Sequence, residues 1–485
     1  MTKIRTRFAP SPTGYMHIGN LRTALYEYLV AKKEKDGVFI LRIEDTDQGR
    51  LVEGATDIIY DTLKQCNLNH DEGPDIGGDY GPYVQSERMR TGMYKEYADK
   101  LVDLNGAHYC FCTEETINEQ RKVAEARGES FIFKDPCNSI NKEDARKRIS
   151  SGEEYVVRQN IPTTGTTTFK DEVYGDITVE NSTLDEAILL KSDGFPTYNF
   201  ANVIDDHLMD ITHVIRGNEY LSSTPKYNLV YESFGWNIPT YIHCPPVMKD
   251  EHQKLSKRNG DASFQDLVSK GYLPEAIINY IALLGWAPES EQEIFSLEEL
   301  AQVFNVKRIN TSGAIFDIDK LTWMNGMYLR NKTADEYYSL VDKYISKSVS
   351  NKFNHKDIAK IVQQRANTLT EISDMVLFFD NYPTFDTELY VNKKMKTNVE
   401  IALPSLKAAY DVFTNITDWN ETTIHDALMS KVEELGIKNG QLLYPVRIAI
   451  TGTQFTPGGA IEISYILGKE ETLNRLKQSI NQLEN

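Results

Sequence analysis

The stretch 4–43 constrains the fold of this chain more than any other. Ile4 to Phe8 is a short strand pattern, stopped by the turn formers Pro10-Ser-Pro-Thr-Gly14. From Ile18 onward Leu21, Leu25, Tyr28 and Leu29 recur at helical spacing, and Gly37 closes that helix. Val38-Phe-Ile-Leu-Arg-Ile43 then runs almost continuously apolar, as a strand covered on both faces does. A β-loop-α-β unit of this kind predicts an α/β fold with a doubly wound parallel sheet, whose ligand crevice lies outside the carboxyl ends of the strands.

The same style returns at 185–216, with the run Asp185 to Lys191, a turn at Asp193-Gly-Phe-Pro196 and a strand at Val214-Ile215. Between these sections the composition shifts. Residues 99–183 hold three of the five cysteines, a charged helical segment at 114–127 and a Thr/Gly-rich stretch at 163–168, and are expected to form an inserted α+β domain. Residues 245–325 carry a Lys/Asp-rich loop, and 326–485 read as an all-α region. The sheet domain is then 1–98 with 184–244. Lys and Arg number 53 against 71 Asp and Glu, a net charge of −18, which excludes a general attraction for nucleic acid. Residues 326–485 carry 18 basic against 20 acidic side chains, and so offer a polyanion its more permissive surface. The cysteines (66, 110, 112, 137 and 244) form no disulfide framework, which points to a reducing compartment. No apolar run nears the ~20 residues a membrane span needs, and Met1-Thr-Lys-Ile-Arg-Thr-Arg lacks the apolar core of a signal peptide. The expected location is the cytoplasm.

Two constellations carry chemistry. Arg7-Phe-Ala-Pro-Ser-Pro-Thr-Gly-Tyr-Met-His-Ile-Gly-Asn20 is a strand end, a tight loop and a helix start, where backbone N–H groups and the positive helix end can meet phosphate. Gly19 leaves room for a flat base, and the His17 imidazole can donate to charge developing as pyrophosphate leaves. Neither Gly-x-Gly-x-x-Gly nor a P-loop is present. His252-Gln-Lys-Leu-Ser-Lys-Arg-Asn-Gly260 is a basic segment without helical periodicity, suited to closing on a triphosphate. Each by itself is more simply an ordinary βα loop or a solvated surface loop.

Together they resemble the HIGH and KMSKS signatures of class I aminoacyl-tRNA synthetases, with Asn20 in place of the final His and Lys254-Leu-Ser-Lys-Arg258 as the second motif. Leu41-Arg-Ile-Glu-Asp-Thr-Asp47, Pro196-Thr-Tyr-Asn-Phe-Ala-Asn-Val-Ile-Asp-Asp-His207, Val214-Ile-Arg-Gly217, Ser223-Thr-Pro-Lys226 and Gly271-Tyr-Leu-Pro-Glu275 look like the bacterial-type glutamyl-tRNA synthetases, a resemblance that extends to Leu467-Gly-Lys-Glu-Glu-Thr472. It implies activation of L-glutamate by ATP with Mg²⁺, transfer to the 3′ end of tRNA(Glu), and a monomer. It assigns 1–98 with 184–244 to nucleotide binding and catalysis, 99–183 to the acceptor end, 245–325 to a connecting domain and 326–485 to the anticodon. Glutaminyl-tRNA synthetases share the signatures but are expected to be β-rich in the anticodon region. A short paralogue that glutamylates a tRNA base lacks that region altogether. A silent tRNA-binding relative need not keep His17, Gly19, Lys254, Ser256 and Lys257.

The resemblance also assigns roles. His17, Lys254 and Lys257 are the expected catalytic residues, and Pro12, Thr13, Gly14, His17, Gly19, Asn20, Ser256 and Lys257 the expected ATP contacts. A glutamate pocket needs guanidinium forks for carboxylate and an anion for the ammonium. Arg7 and Arg216 are candidate forks, Glu44 the ammonium partner, and Tyr198 and Asn202 lie four apart on one helical side, with Ala9 and Ser11 joining from the loop. Residue types alone leave Arg216 open to an ion pair with Glu219, and Tyr198 to core packing. Asp45 and Asp47 are read as caps or loop supports, and Mg²⁺ is given no protein ligand. Related enzymes hold zinc with Cys-x-Cys and a distant Cys-x-His; here Cys110 and Cys112 are followed by Cys137-Asn-Ser139, the fourth ligand is missing at Ser139, and zinc is not expected. Val391-Asn-Lys-Lys-Met-Lys396 is the densest basic run of the last third, open to tRNA phosphates or a solvated helix face.

Overall fold

The computed structural model describes residues 3–128, 131–255 and 263–484. It divides into two units, Met1–Leu267 with Ile277–Asp317, and Val268–Ala276 with Ile318–Asn485.

In the first unit β1 (Arg5–Phe8) pairs in parallel with β2 (Val38–Leu41), so that Arg7 faces Ile40 and Phe8 faces Leu41. Helix α1 (Ile18–Lys32) makes the crossover and buries Ile18, Leu21, Ala24, Leu25 and Leu29. A side chain at Gly37 would collide with the Ala31 carbonyl oxygen, so the return from α1 to β2 requires glycine there. Further along come β3 (Ala107–Cys110), β4 (Val156–Gln159), β5 (Thr166–Asp171), β6 (Gly175–Glu180), β7 (Ile188–Leu190), β8 (His213–Gly217) and β9 (Thr240–Cys244). Strands β3, β4 and β7 form an antiparallel sheet. Strands β8 and β9 pair in parallel, Arg216 beside His243. Strand β8 runs beside β1, where the Thr212 N–H bonds the Arg5 carbonyl oxygen at 3.0 Å. The expected doubly wound parallel sheet is present: β1 has β2 on one side and β8 on the other, and a crevice opens at such a switch point.

The stretch 99–183 is not wholly apart from that sheet. Strand β5 pairs in parallel with β9 at Asp171 and Tyr241, and the hairpin of β5 and β6 extends the sheet in the order β6-β5-β9-β8. Phe169 packs its ring edge-on against Tyr241, with centroids 5.9 Å apart, which ties the hairpin to the core.

The second unit is built from helices throughout its described residues, among them Val399–Asn415, Glu421–Leu435, Asn439–Thr451, Ala460–Leu467 and Lys469–Glu484. Its core includes Leu406, Phe413, Leu428, Leu442, Ile448, Ile463 and Leu476. Asn398 and Asn420 cap two of these helices by accepting from the amides of Ile401 and Thr423. The Val391–Lys396 run is not on a helix face. It forms a turn, closed by a bridge between Asn392 and Thr397. Among the described residues no helix is long and apolar enough to cross a membrane.

Candidate active site

A cavity of about 470 Å³ opens at the carboxyl ends of β1, β2, β8 and β9. The β1–α1 loop brings Ala9, Ser11, Thr13, His17, Gly19 and Asn20 to its wall; Arg7, Glu44, Tyr198, Arg216 and Lys254 complete the set. Three expected contacts are not on the wall. The Pro12 carbonyl oxygen instead takes the Val52 amide at 3.1 Å, Gly14 makes the turn at φ +111°, and the buried Asn202 amide donates to the Tyr198 carbonyl oxygen of its own helix at 2.5 Å. Ser256 and Lys257 lie outside the described residues.

His17 caps α1, its Nδ1 accepting the Gly19 amide at 3.0 Å. The neutral ring therefore carries its hydrogen on Nε2, as a donor to a phosphate oxygen must. Asp45 accepts the Ser86 amide at 2.7 Å, which ties the loop after β2 to the segment at 86.

The two candidate forks differ. Arg7 is turned against Asp206, with Nε at 2.9 Å and Nη2 at 3.2 Å from its two oxygens, and Nη1 lies 3.4 Å from Glu27. Arg42 shares that carboxylate at 2.8 Å and reaches Glu44 at 2.9 Å. Asp205 in turn holds Arg88, Gln85 and Tyr94. Burial alone would raise the Asp206 pKa, but the guanidiniums of Arg7 and Arg42 outweigh it and hold the carboxyl below its usual range. Glu44 and Glu27 are pushed up, chiefly by burial.

Arg216 is 5% exposed, yet among the described residues no carboxylate lies within ion-pair distance of it, Glu219 included. Its cation sits among the rings of Tyr220, Tyr227 and Tyr241, 4.7–5.3 Å from their centroids. A buried cation without a countercharge is costly, and this one stands on the cavity wall.

Away from the cavity, the thiols of Cys110, Cys112 and Cys137 and a carboxylate oxygen of Asp135 lie within 4.8 Å of one another. Ser139 has turned aside and donates to the Pro136 carbonyl oxygen at 2.8 Å. Asp135, two residues before Cys137, stands where a fourth ligand would, with His108 Nε2 2.9 Å from its outer oxygen. Structural zinc sites are closed by four Cys or His ligands, whereas here a carboxylate oxygen stands beside three thiols. Cys110, Cys112, Cys137 and Asp135 are the side chains a metal ion at this place would meet.

The helical unit has a second cavity, of about 1000 Å³, lined by Arg365, Lys394, Tyr444, Arg447, Phe455 and Thr456 among others. Arg447 donates through Nη1 to the Gln454 carbonyl oxygen at 3.0 Å and the Thr456 hydroxyl at 2.7 Å. Burial and the nearby Arg365 cation hold the Arg447 pKa below its ordinary value, Tyr444 opposing. Phe455 is 86% exposed. Sequence patterning singled out Lys394 in its basic run but not these arginines or Phe455, because single residues in helices and loops carry no periodic signal.

The family of class I tRNA synthetases for E and Q, catalytic domain, matches residues 3–323, and an anticodon binding domain matches 333–480. The glutamate–tRNA ligase of Clostridium tetani is 57% identical over 483 residues, 100% of this chain and 98% of that protein. That of Clostridium acetobutylicum is 56% identical, covering 99% of each. The crystal structure of a glutamate tRNA ligase from Elizabethkingia meningosepticum, in complex with its amino acid, superposes with a TM-score of 0.88 at 33% identity, covering 99% of this chain and 100% of that one. With motifs, fold and full-length relatives in agreement, the chain belongs to the bacterial-type glutamate–tRNA ligases, within the class I aminoacyl-tRNA synthetases.

Proposed function

We propose that the cavity at the sheet's switch point is where glutamate and ATP are brought together, with Arg216 receiving a carboxylate of the amino acid. The reaction of the family is ATP-dependent attachment of glutamate to tRNA(Glu), and the chain is a ligase of that kind. The observation that carries the site is the buried Arg216 cation without a countercharge on the cavity wall.

In the first step an oxygen of the glutamate α-carboxylate attacks the α-phosphorus of ATP, the bond to the bridging oxygen breaks, and pyrophosphate leaves. Neither partner is bonded to the protein, so the residues act by placing two anions together and by meeting the departing charge. His17 Nε2 is the donor at the helix end, Lys254 adds a cation on the wall, and Lys257 of the second motif is assigned to the phosphates. Glu44 faces the ammonium, Tyr198 and Ser11 complete the amino-acid pocket, and Thr13, Gly19 and Asn20 attend the nucleotide. Mg²⁺ accompanying ATP would supply charge neutralisation, and no protein ligand is assigned to it. In the second step a ribose hydroxyl of the tRNA 3′ end takes the glutamyl group and AMP departs. The 99–183 stretch is assigned to that end.

ATP–pyrophosphate exchange tests this: exchange is expected with glutamate in the presence of tRNA, and neither with glutamine nor without tRNA. Silence under every condition would remove the assignment. Lys257→Ala is expected to slow exchange at least about tenfold while tRNA affinity stays nearly intact; an unchanged rate would refute its role.

The helical unit is assigned to the anticodon, with its large cavity receiving unstacked bases on Phe455 and beside Arg365 and Arg447. Phe455→Ala is expected to raise the KM for tRNA by about 5- to 100-fold, the range of one lost base–ring stack. The glutamate KM should hold still, and charging measured at varied tRNA checks both.

A further inference from the structure

A guanidinium can fork onto a carboxylate only if something holds its plane. For Arg216 no acid among the described residues does so. Behind it lie three side chains at most 1% exposed: Asp171 at the end of β5, His243 in β9, and Thr224 at the start of the helix Thr224–Phe234. None of the three lines the cavity.

Their hydrogen bonds have one consistent sense. Asp171 Oδ1 accepts the amides of Val173 and Tyr174, each at 2.9 Å, and Oδ2 accepts the His243 amide at 3.1 Å and meets His243 Nδ1 at 2.7 Å. An ionised carboxylate has no hydrogen to give, so Nδ1 carries the proton and the neutral ring presents a lone pair at Nε2. Burial lowers the imidazole pKa and the adjacent Arg216 adds to this, against the pull of Asp171, which keeps the ring neutral. Arg216 Nε donates to that lone pair at 3.1 Å. The Thr224 hydroxyl gives its hydrogen to the Tyr220 carbonyl oxygen at 2.8 Å and accepts Arg216 Nη2 at 2.8 Å.

We propose that Asp171 and His243 are positioning residues for amino-acid recognition: Asp171 sets the imidazole tautomer, and the His243 lone pair, with Thr224, fixes the Arg216 plane so that Nη1 remains for the substrate. The acceptors on Arg216 are neutral, and that is their advantage. A carboxylate in the place of His243 would hold the guanidinium as firmly but would cancel the charge that attracts glutamate, as Asp206 does for Arg7. Through β5, the stretch 99–183 thereby reaches the amino-acid pocket from behind.

The proposal rests on the assignment of Arg216 to the substrate, and its test separates the two. In aminoacylation by the full chain, the KM for glutamate, the KM for ATP and kcat are measured for His243→Asn, His243→Gln, Asp171→Asn and Arg216→Ala. Asparagine at 243 reaches Asp171 but not Arg216, whereas glutamine can bring an amide oxygen to the place of Nε2. Asparagine at 171 must turn an NH₂ toward N–H donors, which disturbs the tautomer. His243→Asn and Asp171→Asn are expected to raise the glutamate KM by about 10- to 100-fold, the cost of a misaimed contact, with the ATP KM near its native value. His243→Gln should recover most of the loss. An unchanged glutamate KM in both asparagine variants overturns the proposal, as does a rise of both substrate KM values together, or a His243→Gln no better than His243→Asn. Should His243→Asn not fold, Asp171→Asn, which keeps the side chain's shape, decides between the same outcomes. If Arg216→Ala leaves the glutamate KM unmoved, the substrate assignment itself falls. If it moves while the two asparagine variants do not, the positioning role alone falls.

Discussion

Replacing Arg216 by alanine should raise the KM for glutamate by roughly 10- to 1000-fold, the equivalent of one or two charge-assisted hydrogen bonds. The effect should fall on binding of the amino acid more than on turnover, because the contact is made in the ground state and kept in the transition state. The fold should tolerate the change. Arg216 has neutral partners, the imidazole of His243 and the hydroxyl of Thr224, and among the described residues no carboxylate within ion-pair distance that its loss would strand. Lysine at 216 should rescue only in part, since an ammonium is a point charge and cannot fork. Steady-state charging at varied glutamate decides the matter; an unaltered KM would make Arg216 a structural residue.

Asp206→Asn should do the reverse: destabilise the protein by about 3–5 kcal/mol, because one buried carboxylate serves two buried guanidiniums. Arg7 holds it through Nε and Nη2, and Arg42 through Nη1 at 2.8 Å. The three side chains are at most 3% exposed, so water cannot replace the lost charge. The sign of the pH dependence follows. The Asp206 pKa is lowered in the folded protein, against burial, by Arg7 and Arg42. Its contribution is thus fully present above the ordinary carboxylate range and is lost as pH falls through the lowered native value. Urea unfolding of both proteins between pH 7 and acid checks this: the gap should be wide at neutrality and narrow in acid, and a gap independent of pH would contradict it.

These contrasting arginines show what a sequence can carry. Both were legible as candidate carboxylate forks, and both stand on the cavity wall. Which of them is already neutralised was not legible. The partner of Arg7 is 199 positions away, and of the adjacent letters Asp205 and Asp206 the first holds Arg88, the second Arg7, with Arg42 within reach of both. The same holds for Asn202, which shares a helical side with Tyr198 yet spends its amide on its own helix. At the cysteines, the resemblance placed the missing fourth ligand at Ser139, and that Asp135 stands beside the three thiols was not legible. His243 and Asp171 carried no motif at all, being ordinary letters within or at the end of a strand.

The β-loop-α-β unit, the crevice at its carboxyl ends, the helical last third and the family were determined by the sequence alone, because turn residues, apolar periodicity and signature spacing act between neighbours along the chain. Tertiary structure decided which charges cancel, which cation is left for a ligand, and that β5 enters the catalytic sheet beside β9. Those outcomes depend on distances between residues far apart in sequence, and Coulomb and desolvation energies are set only when the fold has brought such groups together and shut out water.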